Sequence, residues 1–258
     1  SPPYNVDWDY GNIDDQKEYN EEYIPQMARI FTEAYNKLAP GGRLCINTLT
    51  TDKKATQSEL AMGGALPNAA DITTLLVKQK GRSLKYSNNK DVKVLRNSTN
   101  YILEQHIIWV KPSGSVRNKS RPFGSYPRPN GLLLAPAHES ILVFRKPGNR
   151  DLSKVSRQRK NQSEVSSSYF GNELFDDVWR VGPTQTRKYN GFTVPKFPDE
   201  LPERLIKMYS FIGDTVVDLF TGSGTTLKMA KQLNRDSIGY EINSEIKGLI
   251  EKEVGETV

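Results

Sequence analysis

The chain has 258 residues, of which 36% are hydrophobic and 26% charged. That content supports a core and excludes wholesale disorder, and the length fits one large α/β domain with a smaller appended module. No apolar run approaches the ~20 residues that span a bilayer, and no basic and apolar leader opens the chain; the expectation is a cytoplasmic protein with no membrane association. Formal net charge is +6, with a pI near 9.2 and a mean hydropathy of -0.62, a balance that favours polyanionic partners. Between Lys111 and Lys188 there are 15 Lys and Arg against 6 Asp and Glu, so the positive charge is concentrated in the middle of the chain. Such a block suggests a localised footprint for nucleic acid. Cys45 is the single cysteine, which excludes an intrachain disulfide and fits a reducing compartment. With only His106 and His138, no metal site is expected. The first residue is Ser rather than Met, and a segment preceding Ser1 is expected.

In chain order, Tyr4 to Gly11 reads as an irregular loop. Tyr19 to Leu38 carries Tyr23, Ile24, Met27, Ile30, Phe31, Ala34 and Leu38 at helical spacing. Pro40-Gly41-Gly42 ends that helix. Arg43 to Leu49 reads as a buried strand, Ile72 to Lys80 as a helix ended by Gly81, and Ser83 to Thr99 as a polar surface loop. Tyr101 to Lys111 and Glu139 to Arg145 read as strands, and Ser113 to Gly131 as a loop. Pro147 to Ser168 is polar, basic and serine-rich, and reads as a linker or a segment that orders on binding. Leu201 to Phe211 is a predicted helix, Thr215 to Phe220 a strand, Thr225 to Leu233 a helix and Ser237 to Glu241 a strand, followed by a short terminal helix. Strands alternating with helices predict a mostly parallel sheet covered on both faces.

Two stretches carry chemistry. Asp218-Leu219-Phe220-Thr221-Gly222-Ser223-Gly224-Thr225 is a strand running through a glycine turn into a helix. Glycine lets the backbone turn sharply and approach a ligand, and the helix N-terminus offers free N–H groups. Glu241 ends the next strand and can accept both hydroxyls of a ribose. The other stretch is Ser1-Pro2-Pro3-Tyr4. Its prolines fix φ and remove N–H donors. The Ser1 hydroxyl and Pro2 carbonyl can accept the two hydrogens of an exocyclic amino group, and the Tyr4 ring offers a face for an extruded base.

In this order, the two stretches resemble the DNA amino-methyltransferases that modify bases on an exocyclic nitrogen, in their β group (catalytic half first, cofactor half last). Leu38-Ala39-Pro40-Gly41-Gly42-Arg43-Leu44, the strand His138-Glu139-Ser140-Ile141-Leu142-Val143-Phe144 and Asp177-Val178-Trp179 are similar to further segments of that family. The resemblance implies a Rossmann-like S-adenosylmethionine-dependent methyltransferase fold. It places a catalytic half at 1–146, a small target-recognition region at 147–196 and a cofactor-binding half at 197–258. It also implies a strand just before the catalytic turn, with cofactor contacts near it.

Carried over residue by residue, the catalytic turn is Ser1, Pro2, Pro3 and Tyr4. S-adenosylmethionine falls to Phe197, Asp218, Phe220, Gly222, Ser223, Gly224, Thr225, Glu241 and Ile242, although Ile242 fits a plain core residue equally well. Arg150, Lys154, Arg157, Arg159, Lys160 and Arg187 are the candidates for DNA contact, with solvated charge as the plain alternative for each. The implied partners are double-stranded DNA and a cognate restriction endonuclease, with the enzyme a monomer or a homodimer.

Ser at the first turn position goes more often with cytosine N4 in that family, so cytosine N4 is favoured over adenine N6. Methylation at cytosine carbon 5 is disfavoured, because its nucleophile would have to be Cys45, inside a strand between Leu44 and Ile46. Leu227 at the third glycine position disfavours a nicotinamide dehydrogenase. The lack of aromatic RNA-binding motifs disfavours RNA as substrate, and the intact Ser1 and glycines disfavour a catalytically silent DNA-binding protein.

Overall fold

The computed structural model describes residues 1–3, 19–49, 68–78, 88–111, 128–129, 137–182, 184 and 186–255. Tyr4 and the loop assigned to 113–131 lie outside these, apart from residues 128 and 129 of the loop. The elements, in order, are helix α1 (Ile24–Lys37), strand β1 (Arg43–Thr48), helices α2 (Asn68–Leu76) and α3 (Lys90–Ser98), and strands β2 (Ile102–Val110) and β3 (His138–Arg145). Helix α4 (Arg157–Gln162), β4 (Val178–Arg180), β5 (Arg187–Tyr189) and β6 (Phe192–Val194) follow. The chain continues through α5 (Glu200–Tyr209), β7 (Thr215–Asp218), α6 (Thr225–Gln232), β8 (Asp236–Gly239) and α7 (Lys247–Val254).

Four strands form one sheet in the order β1-β3-β2-β4. β3 runs antiparallel to both β1 and β2, while β2 and β4 are parallel. β7 and β8 form a separate parallel pair, and β5 and β6 an antiparallel one. The expected α/β architecture is present, but the larger sheet is mixed rather than mostly parallel. The sequence could not reveal this. Glu139 to Phe144 are all buried, and a strand buried on both faces has the same continuous apolar pattern whichever way it runs.

Alternation along β3 divides the core. Leu142 and Phe144, with Ile46 of β1, face a cluster built by Tyr23, Met27 and Phe31 beside α1, by Ile72 and Leu75 of α2, and by Val92 and Leu95 of α3. Ile141 and Val143, with Ile107 and Trp109 of β2, face Leu174, Trp179, Val181 and Leu201. Helices on one side and the α5 region on the other therefore cover both faces, as a buried sheet requires.

Two stretches differ from expectation. The polar stretch 83–99 contains α3. Asn89 Oδ1 accepts from the Asp91 and Val92 N–H groups and starts the helix. Only Val92 and Leu95 of α3 are buried, too few to announce a helix by periodicity. The stretch 147–168 is not a free linker. Asp151 and Ser156 cap short helical turns, and Arg150 and Arg159 both bind the carboxylate of Asp214. Arg159 Nε also donates to the Ile212 carbonyl at 2.6 Å. Within 147–196, β4 joins the main sheet, and the Trp109 indole donates to the Val181 carbonyl at 2.8 Å.

Burial pushes the Asp214 carboxyl up, but the hydrogen bonds from Arg150 and the Phe211 N–H, with the two guanidinium charges, outweigh it and leave the pKa below the usual aspartate value. The stabilisation is thus present above the ordinary value of about 3.9 and is lost as pH falls through the lower folded value. Asp214→Asn is expected to cost about 1 kcal/mol in urea unfolding at pH 7, because the arginines are partly solvated. That cost should shrink as the pH falls below about 4.

Candidate active site

The glycine turn is built at the carboxyl end of β7. Asp218 Oδ1 accepts from the Phe220 N–H at 3.0 Å, which folds the chain back at the strand end. Tyr240 N–H donates to the Asp218 carbonyl and Thr221 N–H to the Tyr240 carbonyl, so β8 continues along the turn. Gly222 and Gly224 have φ of 52° and 86°, the left-handed region that side chains disfavour. A Cβ on Gly222 would meet nothing closer than 3.9 Å, so the turn there lies open to a ligand. Gly239 is held by contact instead: its Cβ would fall 2.5 Å from Thr221 Oγ1 and 2.9 Å from a Leu227 methyl. Ser223 and Thr225 are buried, with their hydroxyls 3.1 Å apart.

Glu241 spans the turn. Its Oε2 accepts from the Gly222 N–H at 2.8 Å and its Oε1 from the Asn243 N–H at 2.9 Å. Each carboxylate oxygen retains capacity for a further donor. Ile242, next to it, is 78% exposed, which removes the plain-core reading of that residue. Phe220 packs against the cluster around α1, and Phe197 against the cluster around Trp179. The segment carrying Phe197 is tied down by ions the sequence did not suggest. Lys196 and Lys228 both bind Glu253, and Lys228 also binds Asp199. Burial pushes the Glu253 carboxyl up, and the two lysines more than reverse it, leaving its pKa lowered.

The Ser1-Pro2-Pro3 turn sits beside this. The Tyr23 hydroxyl donates to the Pro3 carbonyl at 2.9 Å. Asn47 Nδ2, at the end of β1, donates to Ser1 Oγ at 3.3 Å and to Glu139 Oε2 at 2.8 Å. Lys111, just past β2, ion-pairs with Glu139. Asn47 thereby ties Ser1 to Glu139 of β3. Tyr23, bound to the Pro3 carbonyl, shares one cluster with Phe220 of the glycine turn, and this joins the two turns. Asn47, Lys111 and Glu139 were not among the expected site residues. A lone acid, separated only by Ser140 from the apolar run 141–144, was their one sequence signal.

The basic residues divide. Arg150 and Arg159 are committed to Asp214. Arg157 is exposed and Lys160 partly so, and Lys154 is 82% exposed with a 3.7 Å contact to Asp151. Arg187 opens β5, and its side chain lies outside the described residues. Among the described residues no His, Cys, Asp and Glu group could hold a metal ion, and no helix is long and apolar enough to cross a membrane. Burial pushes the Cys45 thiol up to about 12. Thiolate is the reactive form, so Cys45 should resist a thiol reagent at pH 8 in the native protein and react within minutes in denaturant. Fast native labelling would contradict this burial.

A family model described as DNA methylase, covering enzymes of the N6 and N4 type, matches residues 1–252. The chain belongs to this DNA methylase family. Type II methyltransferase M.MjaI of Methanocaldococcus jannaschii is 33% identical over 231 residues, which are 88% of this chain and 65% of that protein. M.MthZI of Methanothermobacter thermautotrophicus is 41% identical over 160 residues, 59% of this chain and 43% of that protein. Among solved structures, TTHA0409 of Thermus thermophilus, named as a DNA modification methylase and complexed with S-adenosyl-L-methionine, superposes with a TM-score of 0.61. It is 25% identical and covers 91% of this chain and 78% of its own. The chain spans less than two thirds of the length of these two curated relatives.

Proposed function

We propose that the protein is a site-specific DNA methyltransferase that moves a methyl group from S-adenosylmethionine to an exocyclic amino nitrogen, cytosine N4 in preference to adenine N6. The observation that carries this reading is that Tyr23, which binds the Pro3 carbonyl of the Ser1-Pro2-Pro3 turn, and Phe220 of the glycine turn meet in one core cluster. It puts a hydroxyl acceptor for an amino group next to a turn suited to a nucleoside-like cofactor. The donor set fits that cofactor. Asp218, Phe220, Gly222, Ser223, Gly224 and Thr225 would line its methionine side. Glu241 would accept from the ribose hydroxyls with its remaining lone pairs, and exposed Ile242 with Phe197 would flank the adenine. When bound, the cofactor supplies an activated methyl group.

The chain's own work is orientation. Ser1 Oγ and the Pro2 carbonyl would each accept one amino hydrogen, which turns the nitrogen lone pair toward the methyl carbon. The amino nitrogen that takes the methyl group would give up one of its protons to solvent water, from its place against Ser1 Oγ and the Pro2 carbonyl. Tyr4 would stack on the extruded base. The same geometry serves adenine N6; Ser1 at the head of the turn favours cytosine. Region 147–196 would read the target, and the Type II names of the relatives support a cognate restriction endonuclease as partner.

Nucleoside mass spectrometry of DNA from cells expressing the full-length protein should reveal N4-methylcytosine. N6-methyladenine alone would reverse the base assignment, and neither product would overturn the function. Glu241→Ala should weaken cofactor binding at least tenfold by calorimetry, since hydrogen bonds to a charged group are worth about 1.5–3 kcal/mol. Ser1→Ala should leave that affinity within about twofold while abolishing methyl transfer. In DNA binding, Arg157→Ala with Lys160→Ala should lower the log–log salt slope by about 0.9 per lost phosphate contact. Arg150→Ala, by contrast, should act on stability and leave the slope unchanged.

A further inference from the structure

We infer that Tyr189 is a positioning residue for the glycine turn, acting through Gly248 of α7. The inference rests on the functional reading above, in which that turn holds the cofactor.

Two sets of contacts on α7 carry it. On one side, Ile250 and Val254 back the turn. A Cβ on Gly224 would fall 3.3 Å from an Ile250 methyl and 3.5 Å from a Val254 methyl. On the other side, Gly248 receives the end of the Tyr189 ring. A Cβ there would fall 2.4 Å from the Tyr189 hydroxyl oxygen and 3.6 Å from the ring carbon that bears it. Gly248 and Ile250 are two residues apart, about 200° around a helix of 3.6 residues per turn. Helix α7 therefore stands between the tyrosine and the turn. Leu227 of α6, the helix that begins directly after Gly224, lies in the same cluster as Ile250 and Val254.

Glycine is disfavoured inside a helix. Gly248 is not among the residues with positive φ, so its backbone would accept a side chain. What excludes one is the Tyr189 hydroxyl, which comes nearer to the α7 backbone than a neighbouring Cβ would allow.

Tyr189 is itself held in place. It ends β5, and Asn190 and Gly191 after it have φ of 47° and 86°, the pattern of a tight two-residue hairpin turn. Val194, at the end of β6, is buried in the cluster with Ile250 and Val254, and Tyr189 packs against that cluster. An isolated two-stranded hairpin is at best marginally stable, so its packing on α7 fixes it, and the same contact fixes α7. The hairpin braces the glycine turn from behind, a task separate from reading DNA. A turn held in one shape binds its ligand with less to order.

The test is calorimetric Kd for S-adenosylmethionine on the full-length protein, with melting temperature measured alongside. Gly248→Ala drives the new methyl against the Tyr189 hydroxyl, so ring and helix must part, and Kd should rise about tenfold. Tyr189→Phe alone keeps the ring on α7 and should bind within about twofold of the parent. Combined with Gly248→Ala, it removes the oxygen the methyl would strike and leaves a 3.6 Å contact to the ring carbon. Affinity should then return to within about threefold of the parent. Tyr189→Ala takes the brace away and should weaken binding about tenfold. A contact that served stability alone would lower the melting temperature and leave Kd where it was.

A parental Kd in folded Gly248→Ala or folded Tyr189→Ala would overturn the inference, as would a double variant that binds no tighter than Gly248→Ala. If one of these single variants fails to fold, the other decides. A full-length parent that does not bind S-adenosylmethionine would sink the functional reading itself, and this inference with it.

Discussion

A buried carboxylate at the head of a central strand organises one end of the main sheet. Glu139 begins a run in β3 whose other members are apolar or small, and it is tolerated there because Lys111 and Asn47 meet it. Satisfying that charge brings the ends of β1 and β2 together around Ser1. Phe220 of the glycine turn after β7 packs into the cluster on one face of this sheet. In open α/β sheets, ligands bind outside the carboxyl ends of the strands. In the reading proposed above, the Ser1 turn and the glycine turn would meet a ligand there.

Much of the scaffold was readable in the residues. Helix α1 has a full apolar stripe, β1 and β3 are short apolar runs between breakers, and Gly222 and Gly224 mark a turn that only φ above zero permits. What escaped was held by interactions without a local signature. Helix α3 buries two apolar side chains and depends on its Asn89 cap. The stretch after Pro147 looks like a linker because its ordering force is Asp214, more than fifty residues away in sequence. Strand direction escaped for a different reason, since β3 is buried on both faces.

Site residues show the same division. The resemblance singled out Ser1, the glycine turn and Glu241 by motif. Asn47 and Lys111 carry no motif, and their relation to Glu139 exists only once three strands are paired. Charge counting was likewise a blunt instrument. Arg150 and Arg159 raise the basic character of the middle segment, yet both are spent neutralising one aspartate within the fold. Arg157 and Lys160, one turn of helix apart, remain the better candidates for a phosphate backbone.

The two backbone hydrogen bonds accepted by Glu241 have a kinetic meaning. Gly222 and Asn243 are already fastened to its carboxylate, so the loop is held in one shape, the one the cofactor proposed above would meet. Docking then freezes little extra chain, and the entropic toll that a floppy loop would impose is largely avoided. Association at that pocket should resemble a key entering a lock already cut.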